Sequence, residues 1–275
     1  MSATTLPVNA SVKALEEQLR ERLKAVKRTS FGSQYVAFHA SREEVVALTA
    51  SDLVGAFRRV VLDPVRGLVM LMSPSGGHEI TSYGLDRFVS SVTTLKGIKM
   101  AQLGATRWRR ENDPKHTGNE ADCSFYFGQK AIECMQAYDR SEEEGDAYTH
   151  KTPPDLVVEV GLTHESKEKY LSYRDQGAAE FWQVNARPRK SGRQAQGRII
   201  TVTFLNLQAG STPLQIDTSL NLPEVTPQHV TRFIRQQSGK ALNIFEAYEA
   251  VRSLLEDERG ALEIREEEGE YKIEV

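Results

Sequence analysis

The run PPDLVVEVGL, residues 153–162, limits the possible folds of this chain more than any other stretch. It is apolar throughout except at Asp155 and Glu159, which predicts a central strand covered on both faces. A carboxylate inside such a strand is costly unless a proton, a cation or a metal neutralises it. Alternate residues of a strand face opposite sides, so Asp155, Val157 and Glu159 share one. At about 3.3 Å per residue, Asp155 and Glu159 lie roughly 13 Å apart and cannot ligate the same ion. Asp155, after two prolines, reads as the residue that opens the strand. Glu159 by itself has two readings, a structural ion-pair member or a ligand.

Around this strand the pattern alternates between strands and helices. RRVVLD and GLVMLMS read as strands joined by the turn PVRG, from residue 58 to 73. The helix that follows has Ser73 or Ser75 as cap and Ile80, Leu85, Phe88, Val89 and Val92 as its buried face. Short strands are expected at 98–103 and 105–110, then a polar loop at 111–121 leading to DCSFYFG. SEEEGD at 141–146 reads as a solvated acidic loop. After the central strand come a helix ending at Gly177, a strand at 178–186, and an edge hairpin at 198–206 and 213–217. Pro227 opens a helical stretch to about residue 257, broken near Ser238 and Gly239. Further helices are expected at 11–29, where Leu15, Leu19, Leu23 and Val26 fall at helical spacing, and at 40–56. The tail reads as an acidic hairpin. The expected class is α/β or α+β: a core at 57–222 with a mixed sheet flanked by helices, a helical N-terminal extension at 1–56, and C-terminal helices and hairpin at 223–275.

Charge bears on the partner. The 275 residues sum to −3, which on its face argues against nucleic acid. Residues 256–275 hold nine acids and three bases, hence −6, so the other 255 residues carry +3. Basic clusters lie in TRWRR, with Arg107, Arg109 and Arg110, and in 187–198, with Arg187, Arg189, Lys190, Arg193 and Arg198. Local patches, not net charge, attract a phosphate backbone. Two cysteines, Cys123 and Cys134, are too few for a disulfide framework or a four-cysteine zinc site. No apolar run reaches the roughly 20 residues of a membrane span, and no secretory signal opens the sequence, so a cytoplasmic protein without a membrane partner is expected.

Several active-site classes find no support. G-x-G-x-x-G, the P-loop and the G-x-S-x-G elbow are absent. H-E-x-x-H fails twice, at His78-Glu79 and at His164-Glu165, because Ser82 and Glu168 stand where the second histidine belongs. Acids remain. Asp122 opens an apolar strand and reads as a turn residue or a ligand. Glu79 reads as a first-turn acid favoured by the helix dipole or as part of a site. Lys167 and Lys169 are about 200° apart on a helix, so they face opposite ways. Lys169 shares a side with Tyr173 and is the expected inward lysine, a surface lysine being the other reading. Two or three carboxylates without His or Cys ligands favour Mg²⁺ or Mn²⁺ over zinc. A lysine beside them can offset phosphate charge, which phosphodiester hydrolysis requires.

In their order, Glu79, Asp122, Glu159 and Lys169 resemble the PD-(D/E)XK nuclease superfamily. More closely, the chain resembles the Uma family of restriction-endonuclease-like proteins over about residues 68–220. The resemblance rests on MSPSGGHEI, on LGATRWRREND leading to NEADCSFYFG, and on PPDLVVEVG followed by KYLSYRDQGAAEFWQV. It implies a restriction-endonuclease-like core of αβββαβ type that cuts nucleic acid with Mg²⁺. Asp122 and Glu159 would be the metal ligands, Glu79 an auxiliary acid, and Lys169 the catalytic lysine, displaced into the helix. The chain departs from the family in two places: Ala121 replaces the proline before the first acid, and Gly161 stands where the E-x-K lysine belongs. Gln183 reads as a core amide or as a residue facing the site.

The expected function is a Mg²⁺-dependent (or Mn²⁺-dependent) endonuclease acting on double-stranded DNA, with Arg107, Arg109, Arg110, Arg187, Arg189, Lys190 and Arg193 as phosphate contacts. A homodimer is expected because two sites related by a two-fold axis cut both strands of a duplex. Two rivals stand beside it. One is an inactive nuclease-fold protein that binds nucleic acid or serves in an assembly. The other is a hydrolase of small phosphate esters with a pocket closed by residues 111–121.

Overall fold

A computed structural model of the chain describes residue 17 and residues 34–48, 59–63, 65–73, 76–103, 107–108, 118–161, 169–188, 198–210, 212–237 and 243–257. The class is mixed α/β. The helix expected at 11–29 lies outside the described residues except at residue 17, and the acidic hairpin after residue 257 lies wholly outside them.

Two sheets form. The first is antiparallel and contains β1 (Gln34–His39), β2 (Arg59–Asp63), β3 (Leu68–Ser73), β5 (Arg107–Trp108) and β6 (Gly118–Glu120), in the order β1-β3-β2-β6-β5. β2 and β3 are the hairpin read from RRVVLD and GLVMLMS. β1 was not expected, since the N-terminal region read as helical. It pairs with β3 from Gln34 opposite Ser73 to His39 opposite Leu68. The short helix α1 (Arg42–Leu48) follows it, within the expected 40–56.

The second sheet has six strands: β4 (Met100–Gln102), β7 (Cys123–Phe127), β8 (Leu156–Gly161), β9 (Glu180–Pro188), β10 (Arg198–Asn206) and β11 (Leu214–Ile216). Its order is β11-β10-β9-β8-β7-β4. β8 is the PPDLVVEVGL strand and sits inside the sheet, antiparallel to β7 and parallel to β9. β10 and β11 form the expected edge hairpin.

Helices cover both faces of this sheet. α2 (Gly76–Lys96), α6 (Pro227–Gln237) and α7 (Ile244–Glu256) form one layer. Leu85, Phe88, Val89 and Val92 of α2 pack on Leu156, Val158, Val160 and Trp182, while Phe233 and Val251 close the layer. Trp182 stacks on Phe204 with ring centroids 4.3 Å apart. The expected inward Ile80 is instead 67% exposed. The buried face of α2 runs through positions 78, 82, 85, 89 and 92, and residue 80 lies off that line.

The other layer contains α3 (Gly128–Arg140), α4 (Glu142–Lys151) and α5 (Lys169–Gln176). Ala131, Cys134 and Tyr173 pack there against Tyr126, Val157 and Phe181. The alternation of β8 thus divides its side chains between two cores. α4 replaces the solvated loop expected at 141–146. Ser141 caps it by accepting from the Glu144 amide, and three acids in the first turn suit the positive end of the helix dipole. Acidity in this stretch is a helix-start signal. Gly145 is required because a Cβ there would stand 2.1 Å from the Tyr138 ring. α5 ends at Gly177, whose φ of +95° suits glycine.

Candidate functional site

Asp122 lies at the start of β7, and Glu159 near the end of β8. Because Cys123 pairs with Val158, continuing the antiparallel register puts Asp122 across from Glu159. Asp122 Oδ2 accepts a hydrogen bond from the Val160 amide at 2.7 Å, which ties one acid to the backbone beside the other. Both carboxylates are buried, Asp122 at 3% and Glu159 at 7% exposure.

Each acid is held by a different helix layer. Lys169, the first residue of α5, donates from Nζ to Glu159 Oε2 at 2.5 Å. Tyr173, one turn further on, donates its hydroxyl to Glu159 Oε1 at 2.5 Å. The expected shared side of Lys169 and Tyr173 therefore faces Glu159, and Lys169 is itself only 8% exposed. From the opposite layer, His78 Nε2 lies 3.1 Å from Asp122 Oδ2. Cys123, next in sequence to Asp122, donates from Sγ to the Ser82 carbonyl, seating the first turns of α2 over the start of β7.

Burial pushes the Glu159 carboxyl up, to about 7, against a pull downward from the Lys169 ammonium; the negative charge of Asp122 pushes the same way as burial. The Lys169 ammonium is the cation that partly offsets this burial.

Glu79 is half-buried in the first turn of α2, and the residue of that turn in contact with Asp122 is His78. Sequence reasoning overlooked His78 because it was weighed only against a zinc-protease motif. Its position on the line 78-82-85-89-92 is the signal that would have found it. Tyr173 was noted for its spacing alone. Gln183 pairs in register with Glu159 across the parallel β8–β9 ladder and is half-buried. Asp155 keeps its expected role: it accepts from the Phe127 amide and from Lys130 Nζ.

The basic residues are less fully placed. Arg107 lies in β5, in register with Glu120, two residues before Asp122, and Arg187 lies in β9. Arg109, Arg110, Arg189, Lys190 and Arg193 fall outside the described residues, as does most of the loop at 111–121.

No protein-family model matches this chain, and a search of curated proteins returns no match. The site must be judged by its own chemistry. Among the described residues no three His, Cys, Asp or Glu side chains gather as a metal cluster. Carboxylate oxygens such as those of Asp122 and Glu159 suit a hard cation such as Mg²⁺, which usually takes one or two protein carboxylates and fills its remaining positions with water and phosphate oxygens. The donor set at Asp122 and Glu159 therefore fits Mg²⁺ or Mn²⁺ and does not fit structural zinc. Cys123 and Cys134 are buried free thiols. Among the described residues, no helix is long and apolar enough to cross a membrane.

Proposed function

We propose that this chain is a Mg²⁺-dependent endonuclease that hydrolyses phosphodiester bonds in double-stranded DNA. The observation that carries the reading is the buried Asp122–Glu159 pair on adjoining strands with the Lys169 ammonium set against it. With β5 and β6 inserted after β4, and α3 and α4 after β7, the elements α2, β4, β7, β8, α5 and β9 follow one another along the chain, which is compatible with the αβββαβ order that the resemblance implies.

Asp122 and Glu159 would hold the cation, which when bound polarises the phosphate and acidifies a water. Tyr173 and Lys169 fix the Glu159 carboxylate from two directions, so it needs no reorganisation when substrate arrives. The Lys169 charge offsets charge that develops on the phosphoryl oxygens. The helix thus supplies the ammonium that Gly161 cannot. Arg107, Arg109, Arg110, Arg187, Arg189, Lys190 and Arg193 are the proposed phosphate contacts. A homodimer in the cytoplasm completes the reading.

The test is nicking of supercoiled plasmid with Mg²⁺ or Mn²⁺. Wild type converts it to open circles, whereas Asp122→Asn and Glu159→Gln do not. Unchanged cleavage in both variants would refute the site. The second reading, a non-cutting nuclease-fold protein, is favoured by Gly161 and predicts salt-sensitive DNA binding with no metal-dependent cleavage.

A further inference from the structure

We propose that His78 is the positioning residue of the acid pair, holding the Asp122 carboxylate for a divalent cation from the helix layer opposite Lys169. The inference rests on the metal-site reading above and adds a residue to it.

The geometry comes from three elements. His78 sits in the first turn of α2, 2% exposed, at the head of the helix's buried face. That face continues into Ser82, Leu85, Val89 and Val92, all buried, so the backbone of α2 is anchored against the sheet by apolar contacts. Ser82 Oγ donates to the His78 carbonyl, and Cys123 Sγ donates to the Ser82 carbonyl. The imidazole is therefore delivered from a rigid helix whose next turn touches the residue after Asp122. Its Nε2 lies 3.1 Å from Asp122 Oδ2, the oxygen that the Val160 amide also reaches at 2.7 Å.

The Val160 amide hydrogen-bonds this oxygen, and the imidazole standing 3.1 Å from it limits where the buried carboxylate can turn. Glu159 is held on the other side through both of its oxygens, Oε2 by Lys169 and Oε1 by Tyr173. The two acids are thus braced from opposite layers of the sandwich, and each brace includes an uncharged or chargeable ring group that is not itself a carboxylate. Partners that orient metal-binding side chains in this way typically contribute 10–100-fold in metal affinity.

The test uses the full chain and Mn²⁺ as the probe, with affinity read by titration calorimetry and fold integrity by thermal unfolding. Two substitutions separate packing from positioning. His78→Leu keeps apolar volume and loses the polar contact, whereas His78→Gln places an amide nitrogen near the Nε2 position. The expected result is a 10–100-fold loss of Mn²⁺ affinity in His78→Leu, recovery to within about threefold of wild type in His78→Gln, and the same order in plasmid nicking at saturating Mn²⁺. Equal Mn²⁺ affinity in wild type and both variants would overturn the role of His78 while leaving the metal site standing. Equal losses in both variants would also overturn it, because the contact would then not be what matters. Absence of Mn²⁺ binding in the wild type, with Asp122→Asn indistinguishable from it, would overturn the metal site and His78's role together.

Discussion

Lys169 and Glu159 are ten residues apart in sequence and form a buried ion pair at 2.5 Å between the first turn of α5 and the end of β8. Removing one partner of a buried pair leaves an uncompensated charge, whereas the pair itself contributes little. Lys169→Met is expected to cost on the order of 3 kcal/mol at pH 8 and to abolish nicking. The double variant Lys169→Met/Glu159→Leu should regain most of that stability without regaining activity. Chemical denaturation of the four proteins in a double-mutant cycle measures the coupling; additive losses would deny it.

The raised Glu159 carboxyl would make the proposed metal binding depend on pH. In the folded protein it takes its proton near pH 7, against 4.5 for the ordinary group. Between those values the folded state binds the extra proton, so in the absence of metal this group's contribution to stability is fully present below about 4.5 and is lost as pH rises through about 7. Mn²⁺ affinity should run the other way, weakening below pH 7 with uptake of a proton when the ion leaves. Urea midpoints at pH 5.5 and 8.0, each with and without Mn²⁺, should show the apo protein more stable at the acid end and the metal contribution larger at the alkaline end.

Arg66 connects the β2–β3 turn to the helix that carries Lys169. It pairs with Asp63 at 2.6 Å and with Asp175 of α5. Asp63 is fully buried, and its Oδ1 also accepts from the Val65 and Arg66 amides, each at 3.0 Å. Stability losses should therefore rank Asp63→Ala above Arg66→Ala above Asp175→Ala, with the first near 1–3 kcal/mol because two turn amides lose their acceptor. Thermal unfolding gives the order, and a larger loss at Asp175 than at Asp63 would contradict it.

Gly145→Ala offers a test of packing against propensity. Alanine is the better helix former by about 1 kcal/mol, so a helix argument alone predicts stabilisation. The new Cβ would stand 2.1 Å from the Tyr138 ring, which also donates to Asp146 at 3.1 Å. Net destabilisation of about 1–2 kcal/mol is expected, within the range for overpacking. A raised unfolding midpoint would show that the ring yields freely.

Glu159 illustrates how much of the site could be read from sequence. A carboxylate in an otherwise apolar run demands a partner, and the phase of the following helix picked Lys169 over Lys167. His78 escaped because its partner, Asp122, is 44 positions away and no local pattern joins them. Likewise, SEEEGD resembled a loop in composition, yet Ser141 and the first-turn acids make it a helix start. β1 escaped because strand formation there depends on the edge that β3 offers it, a property of another part of the chain.

The sequence alone determined the central strand, its two-sided burial, the helix phase that turns Lys169 inward, and the need of the buried Glu159 for a partner. These follow from the period of each element and from the cost of burying charge. The tertiary structure alone decided that Asp122 stands across from Glu159 and that the two acids are braced from opposite helix layers by His78 and Tyr173. Those relationships depend on strand register and on how helices seat on a sheet. Both are set by packing between segments distant in the chain, which no local window of sequence contains.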